Sequence, residues 1–289
     1  MLRIRLENIL YATDFEGCSR AALPYALSIA RQHGSKIYVV HVVDVSPFST
    51  PGVTSALRAI EAQAIREAKQ AAIELTPLFG TVAHEAIVRK GDVWKEMSAL
   101  VEQMRIDLIV TGTHGRSGMR KLAMGSVAEN IFRQAPCPVL TIGPQIEGNP
   151  DRLEDLHAIL VPTDFSPESQ CALSCAISLA EASRSRLYLL HVLPGGEAPY
   201  LSVETALRSL IPPDAELGYM PKIMVEQGAP GPKGPKILEV ARELAVDLIV
   251  LGVKRPVFFA GASTHLNMAT AYGVVAGSSC PVVTVRPVA

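Results

Sequence analysis

A glycine-rich segment in the first half of the chain has the composition of a phosphate-binding loop. Gly112 and Gly115 are followed, after nine intervening residues, by Gly125 and Ser126. The two loop glycines lack a Cβ, so the backbone can turn sharply there and approach a ligand closely. Gly125 and Ser126 open a helical pattern, whose free N–H groups and positive dipole end favour an anion. The segment predicts a phosphate cradle between a strand and a helix, and an ordinary βα turn is the alternative.

The residues around this loop belong to an internal repeat. Three segments recur in the same order: 13–15 at 163–165, displaced by 150 positions, 107–110 at 247–250, displaced by 140, and 137–139 at 280–282, displaced by 143. We interpret the chain as a duplicated domain, with one domain over 1–144 and the other over 154–289. The polar segment between them carries Gly and Pro and is typical of a linker.

Each repeat alternates short apolar runs with helical patterns. Strands that are apolar throughout and joined by helices are typical of a parallel sheet covered on both faces. We therefore predict an α/β fold, with two tandem doubly wound domains that each hold a five-stranded parallel sheet. The predicted strands lie near 8–12, 36–42, 84–88, 108–111, 139–142, 158–162, 186–192, 222–225, 248–251 and 282–285, and the predicted helices of the first repeat near 19–33, 54–79, 93–104 and 126–134.

Ligands of such sheets bind beyond the carboxyl ends of the strands, where the strand order reverses. Thr13 and Asp14 follow the first strand, and His41 and Val42 end the second. The Asp14 carboxylate could bond a ribose hydroxyl or an adenine amino group or help to hold a metal, and a helix N-cap-like role is the alternative. The Val42 backbone could pair with an adenine edge. His41 and His114 are interpreted as structural histidines rather than catalytic bases.

Composition excludes several other classes of function. The chain has 289 residues, 48% of them hydrophobic, and a formal net charge of -1. Nucleic acid or an acidic membrane surface would favour a basic patch, so neither is expected as a partner. No apolar stretch approaches the roughly 20 residues that a membrane span needs, and no signal-peptide core is apparent, so we expect a cytoplasmic protein. The odd count of five cysteines argues against a disulfide framework.

Taken together, these segments resemble the universal stress protein family over nearly the whole of both repeats. The glycine spacing is neither the Walker A pattern nor the dinucleotide fingerprint, but it is similar to the Gly-2x-Gly-9x-Gly-Ser/Thr signature of the family's ATP-binding branch. The other similar segments are 9–15, 41–42, 91–92, 107–118 and 125–140. The resemblance implies a tandem member with Rossmann-like, adenine nucleotide alpha hydrolase-like domains, forming a pseudo-dimer in which the last strands of the two repeats pair.

The resemblance also implies a ligand, since members of this branch bind ATP with magnesium (Mg2+). The implied contacts are adenosine at Ala12, Thr13, Asp14 and Val42, the ribose and phosphates at Gly112 and Gly115, and the phosphate tail at Gly125, Ser126 and Val127. Ala12 departs from the family, which usually has proline there. Because this position faces the ligand with its backbone, alanine should be tolerated.

The second repeat departs from the family at the phosphate loop. Gly252 remains, but Arg255 takes the place of the second glycine, 256–260 replaces the small loop, and Met268 aligns with Gly125. Proline and bulky side chains cannot supply the same close-approach backbone. We interpret this repeat as a structural partner that has lost nucleotide binding. The alternative is a remodelled site for another ligand, with Lys254, His265 and Thr270 as its polar candidates.

The sequence thus favours an ATP-binding regulatory protein, in which nucleotide occupancy biases a conformation or a surface for a protein partner and hydrolysis is at most slow. The alternative is an enzyme that hydrolyses ATP or transfers its phosphate or adenylyl group. Such chemistry needs a positioned nucleophile and charge stabilisation, and His114 and Glu129 are the only nearby candidate bases. A scaffold without nucleotide is the third reading, against which the intact glycine signature counts. A homodimer of tandem chains is expected.

Overall fold

The computed structural model describes residues 6–44, 55–113, 126–146, 153, 156–195, 200–254 and 265–287. In the first repeat, the strands are β1 (Asn8–Ala12), β2 (Lys36–Asp44), β3 (His84–Gly91), β4 (Leu108–Gly112) and β5 (Val139–Ile142), and the helices are α1 (Gly17–His33), α2 (Ser55–Leu75), α3 (Val93–Gln103) and α4 (Ser126–Gln134). In the second repeat, the strands are β6 (Ala158–Pro162), β7 (Arg186–Leu193), β8 (Lys222–Gln227), β9 (Leu248–Gly252) and β10 (Val282–Val285), and the helices are α5 (Pro167–Ser183), α6 (Tyr200–Ser209), α7 (Gly234–Glu243) and α8 (His265–Gly277). The alternation confirms the predicted α/β class.

One predicted helix is divided in the structure. The sequence pattern predicts a single helix over 54–79, whereas α2 ends at Leu75 and a short 3-10 helix covers Thr76–Phe79. Pro77 stands in the first turn of that 3-10 helix and lacks the N–H that would continue the α-helical ladder. The apolar pattern of the sequence continues across this break to Phe79, which is buried. The pattern alone therefore does not reveal where the α-helix ends.

The chain forms two compact units, one ending at Ala135 and the other beginning at Pro136. The first unit contains the strand order β3-β2-β1-β4, with every described pair parallel. The second contains β5-β10-β9-β6-β7-β8, in which β5 and β10 are antiparallel and the other described pairs are parallel. By contact, β5 therefore belongs with the second repeat, although its sequence ends the first. The repeat boundaries at 144 and 154 stay a prediction.

The predicted pairing of the last strands of the two repeats is confirmed. Val282 of β10 lies opposite Thr141 of β5, and Thr284 lies opposite Val139. All residues of both strands are buried. This pairing removes the unpaired edge that each last strand would otherwise present.

The strand order reverses beside the first strand of each repeat. In the first unit, β1 lies between β2 and β4, so the chain moves outward to β3 and then returns across β1. In the second unit, β6 lies between β7 and β9 in the same way. The interior of these sheets is apolar, and the side chains of Ile9, Leu10 and Ile159 are completely buried. Each reversal marks the edge at which doubly wound sheets bind ligands.

In each repeat, the backbone at the end of one central strand lies very close to the backbone at the start of a helix. The pairs are β4 with α1 and β9 with α5. A Cβ added to Gly112 at the end of β4 would lie 2.4 Å from the carbonyl carbon of Cys18 in α1. A Cβ added to Gly252 at the end of β9 would lie 2.3 Å from the carbonyl carbon of Glu168 in α5. Both distances are far below van der Waals contact, so glycine is required at both positions by packing alone.

None of the described helices is long and apolar enough to span a membrane. None of the five cysteines forms a disulfide, as the sequence predicts, and Cys175 and Cys280 are buried. Burial raises the pKa of the Cys175 thiol to about 12, so this group stays protonated at neutral pH.

The packing role of the two strand-end glycines predicts that both repeats are sensitive to one added methyl group. We expect Gly112→Ala and Gly252→Ala each to lower the free energy of unfolding by about 3 kcal/mol or more, because the contacted atoms are backbone and cannot rotate away. Urea unfolding of the full chain measures the change. Gly273→Ala is the control, since a Cβ there meets nothing within 4 Å and alanine favours the helix by up to about 1 kcal/mol. Equal tolerance of all three substitutions would contradict this packing role.

Candidate functional site

The loop after β1 holds the Asp14 carboxylate in a defined position. The backbone N–H of Glu16 donates to Oδ1 of Asp14 at 3.1 Å, and the Ser19 hydroxyl also contacts Oδ1. The N-cap residue of α1 is Glu16, which makes no side-chain cap hydrogen bond. Asp14 is therefore not the N-cap that its sequence position allowed as an alternative. It organises the turn through one oxygen, and its other oxygen, Oδ2, bonds to no described residue.

Hydrogen bonds of the buried Tyr11 and Thr13 hydroxyl groups stabilise this loop. The Tyr11 hydroxyl donates to the backbone oxygen of Ser19 at 2.8 Å and lies 3.2 Å from Oγ1 of Thr13. Oγ1 of Thr13 in turn accepts the backbone N–H of Phe15 at 2.8 Å. Phe15 has a φ of 67°, a left-handed conformation that a bulky residue rarely adopts. These hydrogen bonds stabilise the tight turn that contains Asp14.

His41 ties the end of β2 to the same loop. Its Nδ1 atom lies 2.8 Å from the backbone oxygen of Thr13, and its ring lies 5.0 Å from the ring of Phe15. Because a carbonyl oxygen can only accept, Nδ1 carries the proton in this hydrogen bond. The geometry supports the structural role that the sequence predicts for this histidine.

The backbone of β2 extends past its neighbour at the same edge. The last pair between β1 and β2 joins Ala12 to Val40, and β2 continues to Asp44. Val42 is half-buried and is paired on its other side with Arg89 of β3. Ala12 and Val42, two of the predicted adenosine contacts, thus lie at the carboxyl ends of adjacent strands.

The predicted phosphate contacts are described only in part. Gly112 ends β4 against the backbone of Cys18 and Ser19, which brings the strand end beside the Asp14 loop. Ser126 is the first residue of α4, and Val127 after it is 39% exposed. Gly115, Gly125 and the candidate base His114 lie outside the described residues.

The second repeat keeps the adenosine-side scaffold. Nδ1 of His191 lies 2.8 Å from the backbone oxygen of Thr163, and Phe165 has a φ of 66°. Asp164 accepts the backbone N–H of Ser166 at 3.1 Å through Oδ1. Although burial raises the pKa of Asp164, hydrogen bonds from Ser166 and Ser169 outweigh it and lower the pKa below the usual value. This carboxylate is therefore ionised at neutral pH.

The N-cap of the third helix differs in charge between the repeats. Asp92 is the N-cap of α3 and accepts the backbone N–H of Lys95 at 2.8 Å. Lys233 is the N-cap of α7 and makes no side-chain cap hydrogen bond. Burial and then the charge of Lys233 lower the pKa of His191. An acidic group in the first repeat is thus replaced by a basic group in the second.

The polar candidates of the second repeat are not brought together by the described residues. Lys254 is exposed just after β9, and Thr270 is half-buried on α8. His265 begins α8, but its side chain lies outside the described residues, as do Arg255 and 256–260. Within the described parts of both repeats, no group of three or more His, Cys, Asp or Glu side chains could hold a metal ion.

Sequence reasoning missed the group that positions Asp14. The sequence pattern indicates Ser19 only as the first residue of a predicted helix over 19–33, whereas its hydroxyl joins Asp14 to α1. The repeat contained the signal, because Ser19 recurs as Ser169 at the same displacement of 150 as Thr13 and Asp14. In the second repeat, the Ser169 hydroxyl lies 2.9 Å from Oγ1 of Thr163, so the serine has a related role there.

The two repeats share one class of α/β scaffold, a doubly wound sheet with a Thr-Asp loop at the edge where the strand order reverses. The universal stress protein family model matches residues 5–143 and 156–286 of this chain. The two matches together span most of the chain, which therefore belongs to the universal stress protein family, as the sequence predicts.

Individual relatives agree with this assignment. A universal stress protein of Methanocaldococcus jannaschii is 32% identical over 143 residues, which are 47% of this chain and 81% of the relative. The crystal structure of a universal stress protein from Archaeoglobus fulgidus covers 96% of this chain and 98% of its own, with a TM-score of 0.68 and 21% identity, and so shares the tandem fold. The crystal structure of a universal stress protein in complex with cAMP covers 47% of this chain and 95% of its own, with 21% identity and a TM-score of 0.34.

The buried Tyr11 hydroxyl predicts a specific loss of stability at alkaline pH. Burial raises the pKa of Tyr11 from 10.0 to about 12, so the folded state holds the phenol protonated while the unfolded chain releases its proton. The stabilisation is complete below pH 10 and is lost as the pH rises towards 12. Tyr11→Phe should cost about 1–3 kcal/mol at neutral pH, because the Ser19 carbonyl loses its donor.

Urea unfolding of the two proteins at several pH values measures this effect. The difference in unfolding free energy between wild type and Tyr11→Phe should shrink between pH 10 and about 12. Other groups that titrate in this range, such as Cys175, are common to both proteins and cancel. A difference that stays constant with pH would show that the phenol is not protected by burial.

Proposed function

We propose that the first repeat binds ATP together with magnesium and that the protein acts as a nucleotide-dependent regulator in a stress response. The observation that carries this proposal is the Asp14 carboxylate. Its Oδ1 is held by Glu16 and Ser19, while Oδ2 bonds to no described residue at the edge where the strand order reverses. A fixed, half-buried acceptor of this kind suits a ribose hydroxyl or an adenine amino group.

The neighbouring backbone suits an adenosine group. Ala12 and Thr13 are buried at the end of β1, and the part of β2 that contains Val42 continues beyond them. In this arrangement, the Val42 backbone can pair with an adenine edge while Asp14 binds the ribose. Backbone groups of this kind recognise a base without any need for particular side chains.

The phosphates would lie towards Gly112, Gly115 and the start of α4. The exposed position of Val127 supports this placement, because a ligand must reach the first turn of that helix. Magnesium would arrive with the phosphates, since Mg²⁺ is commonly bound by one or two carboxylates, phosphate oxygens and water.

The state of Glu129, the one candidate base that lies among the described residues, supports regulation rather than catalysis. Glu129 forms an ion pair with Arg133, with Oε1 to a terminal guanidinium nitrogen at 2.7 Å. A base that is held in this way is poorly placed to activate a water molecule beside the phosphates. ATP hydrolysis is therefore expected to be absent or slow, and hydrolysis or group transfer by an enzyme is the second candidate function.

The second repeat serves in this proposal as a structural partner without ATP. It keeps Asp164 and the His191 contact, but Lys233 changes the charge beside them and the loop residues after Gly252 are bulky. The proposal also includes a cytoplasmic location, a homodimer of tandem chains and a protein partner that responds to the bound nucleotide.

The role of Asp14 predicts equal effects on ATP and adenosine. Asp14→Ala should raise both dissociation constants by about 10- to 100-fold, because a charged acceptor is lost from the adenosine side. Isothermal titration of the full chain measures both constants. Asp164→Ala removes the equivalent carboxylate of the second repeat and should leave both unchanged. Unchanged binding in Asp14→Ala, or a loss confined to Asp164→Ala, would contradict the assignment to the first repeat.

The role of Gly115 predicts a selective loss of phosphate binding. Gly115→Val should weaken ATP by more than about tenfold while adenosine binding persists, because a branched side chain blocks the backbone from the phosphates. The wild-type titration should give one ATP per chain, with cAMP as a comparison ligand. Two equivalent sites per chain, or equal losses for ATP and adenosine, would count against a single cradle in the first repeat.

A further inference from the structure

The outer edge of β3 is a long strand edge with no partner among the described residues. β3 runs from His84 to Gly91, pairs only with β2, and ends the strand order of the first unit. Its eight residues exceed the usual strand length of about 5–6. An exposed edge of this length is a template for pairing with another strand.

This edge lies in a partly apolar groove. The groove has a volume of about 510 Å³ and is bounded by α2, β3 and Met104, which follows α3. Ile73 of α2 lines it and is 63% exposed, and Ile87 of β3 lines it at half exposure. An apolar groove beside an open strand edge suits an added strand that brings its own apolar side chains.

The charges along β3 are complementary to those of a second β3 in antiparallel register. A two-fold axis through Ile87 places Glu85 opposite Arg89 of the other copy, and the same pair forms again on the far side of the axis. Glu85 and Arg89 are both exposed. The register also places Lys90 opposite His84, and Lys90 already has an ion pair with Glu61 at 3.0 Å.

Arg89 has charge available for such a contact. It forms no ion pair or hydrogen bond with any described residue, whereas Glu85 pairs with Lys36 at 2.7 Å. In the antiparallel register, Arg89 of the other copy would join Glu85 and Lys36 in a three-member network. Opposite charges directly across a strand pair stabilise it, and like charges destabilise it.

The covering helices would also meet in this arrangement. Both α2 and α3 contact β2 and β3, so each helix lies over the space between these two strands. Strands are about 4.8 Å apart, so pairing of two β3 edges would separate the two α2 axes by roughly 10 Å, a normal helix packing distance. Ile73 and its copy would then lie where these helices approach. A lone peptide strand would leave this apolar surface exposed.

We propose that this protein self-associates through antiparallel pairing of its β3 edges about Ile87. The partner is a second copy of the chain, and the surface consists of β3 together with the groove beside it. The proposal specifies the interface of the homodimer that accompanies the proposed function, and it does not depend on ATP binding. Charged residues on an edge strand can also serve to prevent pairing, so the test must separate complementarity from simple repulsion.

Paired charge reversals distinguish charge complementarity across the interface from simple repulsion. Glu85→Arg alone and Arg89→Glu alone each place like charges opposite each other at both contacts, so each should weaken dimerisation by about tenfold or more. The double variant Glu85→Arg/Arg89→Glu restores opposite charges and should dimerise like wild type. Mixing the two single variants should produce a heterodimer, because each then meets its complement. Lys222→Glu, a reversal on the exposed edge strand β8, is the matched control and should have no effect.

Sedimentation equilibrium over a range of chain concentrations up to about 100 µM measures the dimer constant. ATP titration of the same variants checks that their folding and nucleotide binding are unchanged. A wild-type monomer throughout this range would overturn the proposal. So would a dimer that tolerates both single reversals, since that dimer uses another surface, or a double variant that fails to recover. Loss of ATP binding in wild type would overturn the proposed function and leave the interface unaffected.

Discussion

The close contact between a strand end and a helix start is the constraint on which each site depends. Gly112 and Gly252 allow the backbone of β4 and β9 to lie directly against α1 and α5. That contact sets the position of Ser19, and Ser19 in turn holds Asp14. The geometry of this sheet edge therefore depends on the missing side chain of one glycine in each repeat. Since the second repeat keeps its glycine despite its altered loop, packing is sufficient to explain why this glycine is present.

The fold could be predicted from the sequence because its signals are local and repeated. Buried parallel strands are apolar over residues 9–12 of β1 and 159–162 of β6, and the displacement of 150 positions indicates the duplication without any structure. The pairing of β5 with β10 followed from the family resemblance. The assignment of β5 to the second compact unit could not be predicted in this way. It depends on contacts in three dimensions, which the repeat pattern of the sequence does not show.

The positions of the candidate residues in the fold could be predicted from the sequence, but their structural roles could not. Thr13, Asp14 and Val42 were placed correctly at one sheet edge, since the carboxyl ends of parallel strands meet there. The role of Gly112 in packing was not predicted, because a glycine that is needed for ligand approach and one that is needed for helix contact look the same in a sequence. The turn at Phe15 was also hidden, since its left-handed conformation is imposed by hydrogen bonds from neighbouring groups.

The antiparallel contact between β5 and β10 has a consequence for how the two repeats can change. In a symmetric dimer of identical chains, every substitution appears twice, so a change that harms one site harms both. Here the two strands belong to one polypeptide, and the contact persists at a fixed effective concentration whatever the dilution. Each repeat can therefore vary separately. One copy can retain a demanding glycine loop while the other acquires proline, phenylalanine and methionine, and the paired strands still hold.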